Sequence, residues 1–174
     1  MRFFFKVFSF IIFFSPLNAG LDDKKIEKIT KDLPNLWGIA KLNSEEILVT
    51  QKSGKLFKIN VFNKNTIEIK SIPKVSAKRQ GGLLDVETIK IDGEVIVFLC
   101  FSKPDNIKKS YSSTAIVKAK LSGSALKNKK VIFETEIYKS SIHFGCRLLI
   151  NNGKLYASLG DRGNRENAQN YKNF

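Results

Sequence analysis

Histidine is nearly absent from this chain, cysteine is scarce, and no apolar run is long enough to cross a bilayer. Each shortage removes a class of reading. With one histidine, His143, and two distant cysteines, Cys100 and Cys146, the chain has neither the ligand spacing of a zinc site nor a disulfide framework. Both cysteines are expected as free thiols, Cys100 buried within the strand-like run Val95–Phe101, although an oxidising compartment would permit a bridge. The longest apolar run, Val7–Phe14, falls well short of the roughly 20 residues of a spanning helix. Acidic residues are also few, 16 against 30 Lys and Arg, for a formal net charge of +14. A nucleic-acid partner would suit that balance, but the lysines are scattered, Lys127–Lys130 being the densest group, and they read instead as a solvated surface.

What is present begins at the N-terminus. Arg2 and Lys6, the run Val7–Phe14, a helix-breaking Pro16 and the small Ala19 have the order of a secretory signal, with cleavage expected after Ala19. The remaining chain, about 155 residues carrying +12 once Arg2 and Lys6 are gone, suffices for one domain with a real core. The expected location is periplasmic or secreted, with no stable membrane anchor after cleavage. Residues 20–35 form a lead-in, and the folded domain runs over 36–174.

Short β-rich runs recur between turn signals, and no long stretch holds a helical period. Leu36–Leu42, Ile47–Thr50, Lys55–Asn60 and Thr66–Ile72 form a first group of four, and Leu83–Lys90, Val95–Phe101, Thr114–Leu121 and Val131–Thr135 a second. Arg147–Ile150 and Lys154–Leu159 open a third. Four-stranded units about 45 residues apart are the mark of a β-propeller, preferred here over a sandwich. The chain is therefore expected to be all-β, a partial propeller of about two and a half blades, and the N-terminal portion of a longer protein, since propellers close with 4 to 8 blades.

A lone histidine is more often a surface or packed residue than a base, but the setting of His143 is suggestive. His143–Arg147 enters a strand, Asn151-Asn152-Gly153 reads as a three-residue hairpin loop, and Lys154–Leu159 returns. With Ile150 facing Lys154, His143 falls opposite Asp161, where a carboxylate would hold the imidazole's tautomer. Gly145 and Gly160 each allow a bulge that would shift this register. Gly160–Gly163 would equally make an ordinary turn. Arg79–Gly82 would likewise make an ordinary turn, while its paired glycines permit close approach of a ligand and the Gln80 amide can both donate and accept. Arg147 would pair either with an anionic ligand or with a neighbouring carboxylate, and spacing leaves both open.

Taken in order, Trp37–Ala40, Ile47–Leu56, Arg79–Val86, His143–Leu148 and Leu155–Gly163 resemble the glucose/sorbosone dehydrogenase family, above all the soluble bacterial aldose sugar dehydrogenases that use pyrroloquinoline quinone. The resemblance implies a six-bladed propeller with the quinone over the channel mouth. It implies that His143 is the general base at a sugar's anomeric hydroxyl, that Asp161 orients it, and that Gln80 lies at the cofactor and substrate pocket. Gln80 and Arg147 are the candidates for contacting the cofactor, and an external electron acceptor is the further partner. The family's calcium ligands and most of the basic residues that hold the quinone would lie in later blades, so the chain alone is expected to be inactive. Leu36, Ile142 and Cys146 depart from common family residues, and the latter two bear on substrate contacts. The alternative is a non-catalytic secreted propeller binding carbohydrate or a protein through the same channel face.

Overall fold

Alternating apolar residues separated by turn signals do become strands in the computed structural model, which describes residues 26–30 and 32–169. The secretory signal expected over residues 1–19 lies outside the described residues. Strands β1 (Leu36–Lys41), β2 (Glu46–Gln51), β3 (Lys55–Asn60) and β4 (Thr66–Ile69) form one antiparallel meander, the first blade. Strands β5 (Leu83–Ile91), β6 (Glu94–Pro104), β7 (Ser112–Ser122) and β8 (Ala125–Glu134) form the second. Strands β9 (Gly145–Asn151) and β10 (Lys154–Leu159) pair as a hairpin, followed by a short 3-10 turn over Arg165–Gln169. The first strand of each group is the inner one: β1 packs beside β5, and β5 beside β9. The architecture is all-β, a partial propeller.

The second blade is buried on both faces, which explains why β6 reads as an almost unbroken apolar run. Val97, Leu99 and Phe101 point into a cluster shared with Leu48, Leu56 and Ile69 of the first blade. The alternate residues Phe98 and Cys100 point the other way, into a cluster with Phe144, Cys146 and Leu148. A third cluster, Val49, Phe57 and Ile59, lies on the far face of the first blade and is covered in part by Ile29 and Leu33 of the lead-in.

Three expectations are corrected. Strand β8 starts at Ala125, six residues before the expected Val131, because the lysine-rich stretch Lys127–Lys130 is an exposed edge strand rather than a loop. Lysine on an edge discourages further pairing without preventing the strand itself. The β9–β10 hairpin turns on two residues, Asn152 and Gly153, both at positive φ (48° and 72°), so Lys154 faces Asn151 and not Ile150. The cysteines are not free: Cys100 and Cys146 form a disulfide, their Cα atoms 6.3 Å apart. Cys100 sits on the third-blade face of β6, and Cys146 turns toward it from a bulge at φ 78°.

Candidate functional site

The loop before β9 and the loop after β10 meet at the end of the inner strands, and glycine lets them touch. A Cβ on Gly160 would lie 2.0 Å from the His143 carbonyl oxygen, and one on Gly145 2.5 Å from the Gly160 amide nitrogen. That approach is fixed by backbone bonds, Gly160 N–H to the Phe144 carbonyl (3.1 Å) and Arg162 N–H to the His143 carbonyl (3.2 Å). The ladder between β9 and β10 shifts by one residue between the Ala157–Leu148 and Leu159–Gly145 pairs, at the bulge that contains Cys146. The Arg147 N–H is taken by the Ser158 hydroxyl at 2.9 Å, so the break leaves that donor satisfied.

The one-residue slip at the turn and the one-residue bulge compensate, and His143 does meet Asp161. Its Nδ1 lies 2.7 Å from Asp161 Oδ1, with the imidazole half exposed and the carboxylate 19% exposed. Asp161 is held below the ordinary carboxylate range, first by the N–H of Gly163, which donates to Oδ1 at 2.8 Å, and then by His143. It is therefore ionised at neutral pH and accepts the Nδ1 proton, and in the neutral imidazole that tautomer puts the lone pair on Nε2. His143 itself stands at φ 50°, a conformation that L-residues seldom adopt.

Gln80 reaches the same segment. Its side-chain Oε1 accepts the His143 N–H at 2.8 Å, while its own N–H donates to the Ser141 carbonyl at 3.0 Å. With Oε1 so engaged, the amide NH2 is the part of Gln80 that can meet a ligand. Arg147 is 67% exposed and donates from Nη1 to Asp85 Oδ1 at 3.3 Å, so of the two roles left open by the sequence it fills the carboxylate one. Its exposed guanidinium still presents donors to solvent.

Two residues that the sequence reading did not single out complete the cluster. Asp85, 2% exposed, accepts the Leu148 N–H at 2.7 Å and ties β5 to β9. Burial raises its pKa against the pull of these bonds. Its signal was a carboxylate inside the apolar stretch Leu83–Val86, since a buried polar group is the informative exception. Arg162, 6% exposed, donates to the carbonyls of Ile142, Ser112 and Ser140 and to the Ser112 hydroxyl. Within Gly160–Gly163 it reads as a solvated turn residue, and no local signal separates the two cases.

Inner strands of successive blades packed side by side, with a histidine–carboxylate pair where they end, define a partial β-propeller scaffold. Residues 33–174 match the family model for glucose/sorbosone dehydrogenase, and the chain belongs to that family. It is similar to a crystal structure of a glucose dehydrogenase at 30% identity, covering 82% of this chain and 43% of that one, with a TM-score of 0.72. The apo-form of the soluble aldose sugar dehydrogenase from Escherichia coli is 27% identical over 83% of this chain and 43% of its own, also at 0.72. The PQQ-bound form of the aldose sugar dehydrogenase from Streptomyces coelicolor is 24% identical, covers 84% and 44%, and has a TM-score of 0.70, a likeness of fold. The chain thus spans less than half the length of these relatives.

Proposed function

We propose that the complete protein is an exported quinoprotein that oxidises an aldose or related sugar at its anomeric hydroxyl to a lactone. The observation that carries this reading is the 2.7 Å contact between His143 Nδ1 and Asp161 Oδ1 on an imidazole that is half exposed to solvent. Pyrroloquinoline quinone, when bound, supplies a two-electron acceptor for the hydride on the anomeric carbon, a capacity that no side chain has. Its carboxylates suit the donors present, the exposed Arg147 guanidinium and the Gln80 amide, so those two residues would contact it. Calcium is expected alongside the quinone by family resemblance. No group of three or more His, Cys, Asp or Glu that could hold a metal occurs among the described residues.

The chain's own work is proton chemistry. His143 Nε2 takes the proton of the anomeric hydroxyl as the C–H bond gives up its hydride, and the oxygen's electron pair closes the new carbonyl. Asp161 stabilises the imidazolium formed, and Gln80 restrains the backbone that carries the ring. Export is supported by the N-terminal signal pattern and by the Cys100–Cys146 disulfide, which belongs to an oxidising compartment.

The test uses the complete protein loaded with quinone and calcium and follows sugar-dependent reduction of an artificial acceptor dye. His143→Ala should lower kcat by on the order of 10²–10⁴-fold with quinone binding little changed. Unchanged turnover would remove His143 from the chemistry. Wild-type protein that binds sugar yet reduces no dye would favour a carbohydrate-binding propeller instead.

A further inference from the structure

Arg162 ties together the segments on either side of the dyad, and it does so from inside the protein. Its backbone N–H holds the His143 carbonyl at 3.2 Å. Its Nε donates to the Ile142 carbonyl (3.3 Å), Nη1 to the Ser112 carbonyl (3.2 Å), and Nη2 to the Ser140 carbonyl (2.5 Å) and the Ser112 hydroxyl (3.2 Å). The guanidinium lies over the Phe144 ring at 3.7 Å and faces Tyr138 at 5.5 Å. The residues immediately before and after His143 are thus both bound by one side chain, whose own backbone neighbour is Asp161. The pairing Ser112 N–H to Tyr138 carbonyl (3.1 Å), with its reciprocal (3.0 Å), ties the same cluster back to β7 of the second blade.

We propose that Arg162 is a positioning residue for the His143–Asp161 pair: one planar, multiply donating cation fixes both the backbone that carries the imidazole and the loop that carries its carboxylate. The proposal rests on the reading of His143 as a base. Both His143 (φ 50°) and Arg162 (φ 55°) stand in the left-handed region, so neither loop holds its shape by intrinsic preference. Something must over-determine them, and hydrophobic contact alone has no direction. A guanidinium does: its N–H groups leave in fixed directions in one plane, and three carbonyls and a hydroxyl lie in those directions. Burial pulls its pKa down to about 10, which leaves it cationic at neutral pH and able to hold all four acceptors. Lysine, with one nitrogen, cannot reach acceptors spread around a fork.

The experiment compares Arg162→Gln and Arg162→Lys in the complete protein, with Asp161→Asn as the reference for a broken pair. Proton NMR of the quinone-free protein follows the Nδ1-bound proton of His143, assigned by its disappearance in His143→Gln. In both Arg162 variants this resonance should move or broaden away as it does in Asp161→Asn. In the loaded enzyme kcat should fall by about 10- to 100-fold with little change in KM, the signature of a misplaced base rather than weakened sugar binding. A resonance and kcat that match wild type in either folded variant would overturn the proposal, and so would loss of fold in both, which would assign Arg162 to stability alone. If the resonance responds but His143→Gln keeps full turnover, the positioning role stands and the functional reading falls.

Discussion

The seam between the first and second blades and the seam between the second and third are built from different materials. The first is closed mainly by apolar side chains, Leu48, Leu56 and Ile69 against Leu83, Val97, Leu99 and Phe101, with a few hydrogen bonds such as that from the Thr88 hydroxyl to the Lys41 carbonyl (2.7 Å). The second has a smaller apolar cluster and adds a disulfide, the Asp85 bonds to Arg147 and Leu148, and the Gln80 bond to His143. Burial supplies free energy without direction, while hydrogen bonds and covalent links fix atoms. The seam that carries the dyad is the one built from directed contacts.

The largest effect should come from cutting the covalent tie. Cys100→Ala with Cys146→Ala opens a link of 46-residue separation, and loop-closure entropy puts the loss at about 4 kcal/mol, measured by urea unfolding of the complete protein. A loss confined to a few tenths would mean that the other contacts across this seam already hold it. Next is Leu99→Ala in the apolar seam, expected to cost about 3 kcal/mol through the cavity it leaves. Because Leu99 supplies burial in the seam that does not carry the dyad, kcat and the His143 Nδ1 resonance should stay near wild type, and a fall in kcat to match that of the Arg162 variants would erase the distinction between the seams. The smallest effect is the pH response of two carboxylates. Asp161, lowered from 3.8, contributes stability that is present above that value and is lost as pH falls through its folded pKa. Asp85, raised from 3.8, contributes with the opposite sign, stability that is present below 3.8 and is lost as pH rises through its folded pKa. Acid unfolding curves should therefore become shallower in Asp161→Asn and steeper in Asp85→Asn. Parallel curves would show that neither group is linked to folding.

How far the sequence could be read depended on whether the signal was local. Strand positions in the first two blades follow from alternation and turn residues, and only the lysine-rich start of β8 hid its strand behind its charge. The turn at Asn152 and Gly153 reads one residue off in the sequence because Asn151 has the same chemistry as its neighbour. The pair of His143 and Asp161 nevertheless met, since the bulge at Cys146 moved the register back by one. The disulfide was illegible for a different reason: which face of β6 looks at which blade is a tertiary relation, and cysteines 46 residues apart carry no local trace of it. Arg162 was missed likewise, because a turn sequence does not reveal whether its cation points outward or is packed beneath the loop.

The two-faced burial of the second blade also bears on the order in which the chain can become native. As the chain emerges from its N-terminal end, the first blade already has Ile29 and Leu33 to cover part of its outer cluster, leaving one bare face. The second blade has apolar side chains on both sides and no cover of its own, so as a lone meander it would meet water twice over. The second blade is therefore expected to become structured by condensing on the first, and the third on the face that the second then offers. Blade-by-blade growth is thus the expected order, Phe98 and Leu99 pointing to the two covers that the second blade does not itself supply.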